Sequence, residues 1–227
     1  MDICLIPARG GSKRIPRKNI KLFCGRPMIE WSIAAARKSE CFDRIIVSTD
    51  DREIAKIASS AGAEVPFMRP DHLSDDHSTT VDVVVHALNE VSNVDNLCCL
   101  YATAPFVKAA DIADGALLMQ QGCDYVIPIT TYAHPIERSL RIDQNSQLKM
   151  NDPELYRIRT QDLEEAWHDA GMFYWGSAQQ WITGKNPYDA KVTPLVIPRK
   201  RVQDIDTLED WERAELMFRA LFIDVSL

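Results

Sequence analysis

A glycine pair followed by a dense run of cations is the first place where this chain could do chemistry. Residues 6–21, IPARGGSKRIPRKNIK, carry Arg9, Lys13, Arg14, Arg17, Lys18 and Lys21 and no Asp or Glu. The apolar run Ile3-Cys4-Leu5-Ile6 precedes them directly, the pattern of a strand emptying into an anion-binding loop. Backbone amides around Gly10, Gly11 and Ser12 can approach a phosphate closely, because glycine has no Cβ to hold a ligand away and tolerates the dihedrals of a tight nest. The spacing differs from the GxxxxGK[ST] loop of nucleotide hydrolases. A tight turn beside a solvated basic face is the competing reading of the same residues.

Two carboxylates late in the chain offer that loop a partner. Asp204 and Asp206 flank Ile205 just before the last helix, and side chains at i and i+2 of an extended segment point to the same side. Mg²⁺ binds through one or two carboxylates plus substrate phosphates, so such a pair needs no protein cage. Capping of the helix at Thr207 accounts for Asp206 equally well. The polar run from Arg69 to Thr79 is a third candidate, placed after a strand where a loop would overhang a ligand. Arg69 suits a phosphate or a base carbonyl, and the run reads equally as a helix-capping loop. His168-Asp169-Ala170-Gly171 comes with no serine or cysteine elbow, which argues against covalent catalysis.

An alternation of strands and helices must position these groups. Pro27 opens a helix through Ala36, with proline at the first helical position. A buried strand is expected at Arg44–Ser48, then a helix from about Arg52 to Ala61 stopped by Gly62. A short strand at Glu64–Met68 leads through the polar loop to a helix near Val81–Val91. A strand at Leu97–Ala102, a helix from about Ala110 to Gln121 and a strand at Tyr125–Thr130 follow. The pattern then changes across residues 132–170, where Leu140-Arg141-Ile142 and Leu148-Lys149-Met150 flank a turn as a β-hairpin insertion. Met172–Trp175 and Leu195–Ile197 return to sheet, and Thr207 caps a helix from Leu208 to about Leu221. The expected fold is a single α/β domain over residues 1–227, a mostly parallel sheet flanked by helices, with ligands at the carboxyl ends of its strands.

Length and charge narrow the partners. At 227 residues with 46% hydrophobic content, the chain can bury one substantial core. A net charge of −7, from 33 acids against 26 Lys and Arg, argues against a nucleic-acid or membrane-surface binder, so the basic loop is aimed at a small anion. Six cysteines in or beside apolar segments, none spaced C-x-x-C, read as reduced thiols. Strand-sized apolar runs and the lack of a signal-peptide pattern complete the expectation of a cytoplasmic protein.

IPARGGSKRIPRKN, IIVSTDD, RPDHLSDDHSTT and DIDTLEDW, in this order, resemble the CMP-sialic acid synthetases, or acylneuraminate cytidylyltransferases. YATAPF at Tyr101–Phe106, TQDLEEAWHDAGMFYWG at Thr160–Gly176 and PRKRVQDIDTLEDWERAE at Pro198–Glu215 look like the branch that acts on pseudaminic acid. The resemblance implies a nucleotide-diphospho-sugar transferase fold of Rossmann-like type. It also implies transfer of CMP from CTP to the anomeric hydroxyl of an acidic nine-carbon sugar, pyrophosphate release, and dependence on Mg²⁺. Ala8, Arg9, Gly10, Gly11, Ser12, Lys18, Asn19, Arg69 and Thr79 fall on nucleotide-binding positions. Tyr101, Thr103, Gln161 and Asp169 fall toward the sugar, and Asp204 and Asp206 on the metal pair. The insertion corresponds to a dimerisation element, so a homodimer is implied.

The chain departs from the family at Tyr101-Ala102-Thr103-Ala104-Pro105, which stands where sialic acid synthetases carry a Q-P-T-S-P type sequence. Tyrosine and glutamine differ in bulk and hydrogen bonding, which favours a dideoxy-diamino sugar such as pseudaminic acid over N-acetylneuraminate. In the implied reaction the sugar hydroxyl attacks the α-phosphorus in line, with Lys18, Arg9 and Asp206 as the groups that act on the reacting phosphates. Activation of N-acetylneuraminate, legionaminate or 3-deoxy-manno-octulosonate is the alternative within enzymes. An inactive nucleotide-binding relative is the alternative outside them.

Overall fold

Residues 1–184 and 186–223 are described by a computed structural model. Near-continuous apolar runs form the centre of its sheet, as strands covered on both faces require. These are β1 (Asp2–Pro7), β4 (Arg44–Ser48) and β5 (Asn96–Leu100), with β1 buried from Ile3 to Ile6. Two short strands, β2 (Leu22–Phe23) and β3 (Arg26–Pro27), pair with each other after the basic loop. They lead into α1 (Met28–Ser39), where Pro27 stands at the N-cap, one position before its expected place. Helix α2 (Arg52–Ser60) follows β4 and is capped by Asp51. Helix α3 (Thr80–Glu90) precedes β5, and α4 (Ala109–Met119) links β5 to β6 (Tyr125–Thr131).

The insertion leaves the sheet after β6. It contains the expected hairpin, β7 (Leu140–Ile142) and β8 (Leu148–Met150), and short 3₁₀ turns, then returns as β9 (Trp167–Asp169) along β6. Strand β10 (Phe173–Ser177), α5 (Ala178–Ile182), β11 (Val192–Val196) and α6 (Leu208–Phe218) complete the fold. The sheet runs β11-β6-β10-β5-β1-β4. Strand β1 is parallel to β4 and β5, and β11 to β6, while β10 is antiparallel to both β5 and β6. One reversed strand therefore sits inside an otherwise parallel path. Gly176 lets it fit, since a Cβ there would meet Tyr125 and Trp181 atoms at 2.6 Å.

Alternate residues of β1 face opposite sides and seed two cores. Cys4 and Ile6 pack with Trp175, α1, α4 and α6, whereas Ile3 and Leu5 pack with Tyr125, α3 and α5. Two expected elements differ. Glu64–Met68 is no strand, and makes only the isolated bridges Ile46↔Glu64 and Thr49↔Met68, because Pro66 removes a ladder donor. The last helix ends at Phe218 and widens to a π-turn over Arg219–Ile223. No helix of the described residues is long and apolar enough to cross a membrane.

Candidate active site

The carboxyl ends of β1 and β5 open onto a cavity of ≈ 240 Å³. From the loop after β1, Arg9, Ser12, Lys18 and Asn19 line it. Arg69 and Thr79 come from the loop before α3, and Tyr101 and Thr103 from the turn after β5. Eight residues singled out from the sequence thus meet at one place, where sheet topology puts ligands of open α/β proteins. Ala8, Gly10 and Gly11 are not part of this lining. The Ala8 N–H donates to the Ser48 carbonyl at 2.9 Å and the Gly10 N–H to the Asp50 carboxylate at 2.9 Å.

The nest geometry expected of the glycines therefore needs correction. Neither Gly10 nor Gly11 adopts a positive φ, and Gly10 is required for another reason. A Cβ there would lie 2.8 Å from Asp51 Oδ2, so glycine lets the loop close against the start of α2. Arg17 is not free for phosphate either, since its guanidinium, at φ 56, grips Asp51 and reaches Glu53 at 2.6 Å. The Asp51 carboxyl is held below the usual range by Arg17 first, with the α2 amides adding to it. Asn19 Nδ2 donates to the Arg9 carbonyl at 2.9 Å and fixes the loop's course.

Arg69 is the least satisfied charged group at the site. It is 5% exposed, and its Nε and Nη2 have no hydrogen-bond partner among the described residues. Asp50 lies 3.9 Å away, and burial pulls the guanidinium below its ordinary pKa, partly opposed by that carboxylate. A buried cation with unused donors at a cavity wall is built to meet an acceptor that arrives from outside. The other cations are matched internally. Arg9 Nη1 donates to the Asp75 carbonyl at 2.6 Å and pairs with Asp76 at 2.8 Å, and Lys13 also binds Asp76. Arg14 meets Asp206 at 2.9 Å, and Lys18 donates to the Ile205 carbonyl at 2.8 Å and pairs with Asp206 at 3.4 Å. The Asp76 role has no signal in the sequence, because the fold alone brings residues so distant in the chain together. Thr79 spends its hydroxyl in a capping box with Asp82.

Tyr101 stands half-buried at the cavity wall, its hydroxyl 3.4 Å from Thr80 Oγ1 and its ring edge-on to Tyr174 at 5.6 Å. Burial pushes its pKa up, so it stays a neutral phenol. Asp169 does not line the cavity and instead accepts the hydroxyls of Tyr174 and Tyr188. Gln161 does not join the cavity either. It is exposed on a 3₁₀ turn and lines a separate cavity with Tyr132, His134 and Glu165.

A model of the cytidylyltransferase family matches residues 3–165, from β1 through the basic loop, Arg69 and Tyr101 into the insertion. The chain belongs to the cytidylyltransferase family. This cytidylyltransferase is 40% identical over 224 residues to the pseudaminic acid cytidylyltransferase of Campylobacter jejuni subsp. jejuni serotype O:2, covering 96% of each chain. It is 33% identical over 224 residues to the CMP-N,N'-diacetyllegionaminic acid synthase of Legionella pneumophila subsp. pneumophila, with 94% of each covered. Its fold is shared with a CMP:2-keto-3-deoxy-manno-octonic acid synthetase complexed with CTP, at a TM-score of 0.73 and 17% identity over 97% of this chain and 99% of that one. It is an enzyme of the nucleotidyltransferase class, on the nucleotide-sugar transferase fold expected from its sequence.

The late aspartates of the cytidylyltransferase suit a hard divalent cation. Ile205 is 1% exposed between them, Asp204 is exposed with no partner on its carboxylate among the described residues, and Asp206 reaches the cavity cations. Among the described residues no cluster of three or more acidic, histidine or cysteine side chains gathers anywhere, so a cation held here would take most of its shell from water and phosphate, the habit of Mg²⁺. Thr207, not Asp206, caps α6, in a capping box with Asp210.

Proposed function

We propose that this cytidylyltransferase transfers CMP from CTP to the anomeric hydroxyl of a nonulosonic acid, with pseudaminic acid the best supported acceptor, and releases pyrophosphate. The observation that carries this reading is the buried guanidinium of Arg69, whose Nε and Nη2 make no hydrogen bond among the described residues, in a cavity otherwise walled by Arg9, Lys18, Ser12 and Asn19. Such a wall fits a polyanion attached to a base. The 40% identity to a pseudaminic acid enzyme supports the sugar, as does Tyr101 at the cavity wall.

The chain's own groups would do their work by position and charge. Arg9 and Lys18 neutralise the phosphates as charge moves to the leaving pyrophosphate, and Arg69 donates to the nucleotide from below. Tyr101 and Thr103 orient the sugar for in-line attack at the α-phosphorus. Asp204 and Asp206 would hold Mg²⁺, which supplies charge neutralisation and Lewis-acid polarisation of the phosphate when bound.

A panel of pseudaminic, legionaminic, N-acetylneuraminic and 3-deoxy-manno-octulosonic acids with CTP, followed by pyrophosphate release, tests the assignment. Pseudaminic acid should give the highest kcat/KM. A higher value for N-acetylneuraminate overturns the sugar, and CTP binding without pyrophosphate release from any of them overturns the reaction.

A homodimer built through residues 132–170 is the second part of the proposal. The hairpin exposes Leu140 at 56%, Ile142 at 73% and Leu148 at 66%, and Tyr156 nearby at 70%. An apolar surface of this kind is typical of an interface. Ile142→Glu with Leu148→Glu should convert a dimer in sedimentation equilibrium to a monomer. A wild-type chain that sediments as a monomer at micromolar concentration contradicts it. The six cysteines are all unpaired, which supports a reducing, cytoplasmic setting.

A further inference from the structure

The Asp169 carboxylate is fully employed inside the protein. Its Oδ1 accepts the Gly171 N–H at 2.7 Å, and its Oδ2 accepts the hydroxyl of Tyr174 and, at 3.4 Å, that of Tyr188. Three donors on two oxygens leave little capacity for a substrate, and the residue stands outside the cavity lining. Tyr174 in turn requires an acceptor. Burial, with Tyr101 and Asp169 adding to it, raises its pKa far above the ordinary value, so it remains a phenol whose proton must be placed.

The ring of Tyr174 meets that of Tyr101 at 70°. The backbone of Tyr101 is pinned on both sides, its N–H donating to the Met172 carbonyl at 2.9 Å and its carbonyl accepting from Ser32 Oγ at 2.8 Å. Only the direction of the Tyr101 ring is left open. Its hydroxyl contacts Thr80 Oγ1 at 3.4 Å and the hydroxyl of Tyr174, so Tyr174 bears on that ring through both its edge and its hydroxyl.

We propose that Asp169 is a positioning residue for sugar selection: it fixes Tyr174, and Tyr174 holds the Tyr101 ring at the cavity wall. The inference rests on the nonulosonic acid reading above. It also replaces a direct contact between Asp169 and the sugar by an indirect one through two tyrosines.

Asp169→Ala leaves a half-buried hydroxyl without its acceptor, and loss of such a bond corresponds to about a tenfold rise in KM for the sugar. The KM for CTP should not move. Asp169→Asn keeps an acceptor oxygen in place and should restore most of the loss. Because Asp169→Ala and Tyr174→Phe act on one path, their double variant should be no worse than the poorer single variant. Equal rises in both KM values, or full additivity, overturn the assignment.

A second readout needs no turnover. With 3-fluorotyrosine in place of Tyr101, the ¹⁹F resonance of the unliganded protein should shift or broaden in Asp169→Ala and stay put in Asp169→Asn. An unchanged resonance in Asp169→Ala overturns the positioning role whatever the substrate. A wild-type chain inert toward every sugar, yet showing the expected ¹⁹F response, overturns the sugar reading and leaves the tyrosine path standing.

Discussion

Asparagine in place of Asp206 is expected to lower kcat/KM by about a thousandfold while the protein stays folded, the size of effect seen when a preorganised electrostatic group is removed from a reaction centre. Asp206 accepts both Arg14 and Lys18, and it is one of two oxygen-donor groups suited to Mg²⁺. The neutral amide weakens the hold on those cations and removes one metal ligand. Stability should change little. The side chain is 33% exposed, and ion pairs so open to solvent contribute about 1 kcal/mol or less.

A Mg²⁺ titration separates the two contributions. Loss of a metal ligand raises the Mg²⁺ concentration needed for half-maximal rate, whereas loss of a counter-charge to Lys18 changes the KM for CTP. Asp204→Asn, at an exposed side chain with no partner, should show the first effect alone. A Mg²⁺ requirement unchanged from wild type in both variants would remove the aspartates from the metal site.

Methionine in place of Arg69 should have two effects of opposite sign. The guanidinium is nearly fully buried, with two nitrogens unbonded and its nearest carboxylate 3.9 Å away. Methionine removes two unsatisfied buried donors, whose burial costs roughly 1–3 kcal/mol, and the Asp50 it leaves behind is a quarter exposed to water, so the net change is a stabilisation. At this chain length that raises Tm by roughly 2–4 °C for each kcal/mol. Asp50 keeps its bond from the Gly10 amide, so no new orphan appears. Nucleotide binding moves the other way. A charge-assisted bond is worth roughly 1.5–3 kcal/mol, so the KM for CTP should rise by about ten- to a hundredfold. A lower Tm with an unchanged KM would make Arg69 a structural residue. Calorimetry and steady-state kinetics on one preparation decide between them.

The cavity was legible in the sequence because its residues lie in contiguous motifs directly after strands. A βαβ order puts such loops on one edge of the sheet, so Arg9, Lys18, Arg69 and Tyr101 converge once the strands are placed. Strand direction was not legible. Phe173–Ser177 has the composition of a buried strand in either sense, and its antiparallel course between β6 and β5 follows from the long excursion through the insertion. Partners were equally hidden. Nothing in a run of cations tells that Arg17 serves the cap of α2 while Arg14 serves Asp206, since each pairing is made across the fold. Asp169 was placed toward the sugar by the family resemblance, whereas in the fold its carboxylate accepts the hydroxyls of Tyr174 and Tyr188.

The pairing of Asp76 with Arg9 and Lys13, and of Asp206 with Arg14 and Lys18, means that the cleft carries counterions of its own. Entry of a triphosphate is then an exchange, in which phosphate oxygens take the cations and two carboxylates return to water. Two carboxylates against four cations halve the field without cancelling it, so the cleft stays net positive and the association rate should still fall with ionic strength. The exchange also frees Asp206 at the moment the nucleotide arrives. Nucleotide and divalent cation should therefore each bind more tightly in the presence of the other, a reciprocity fixed by linkage.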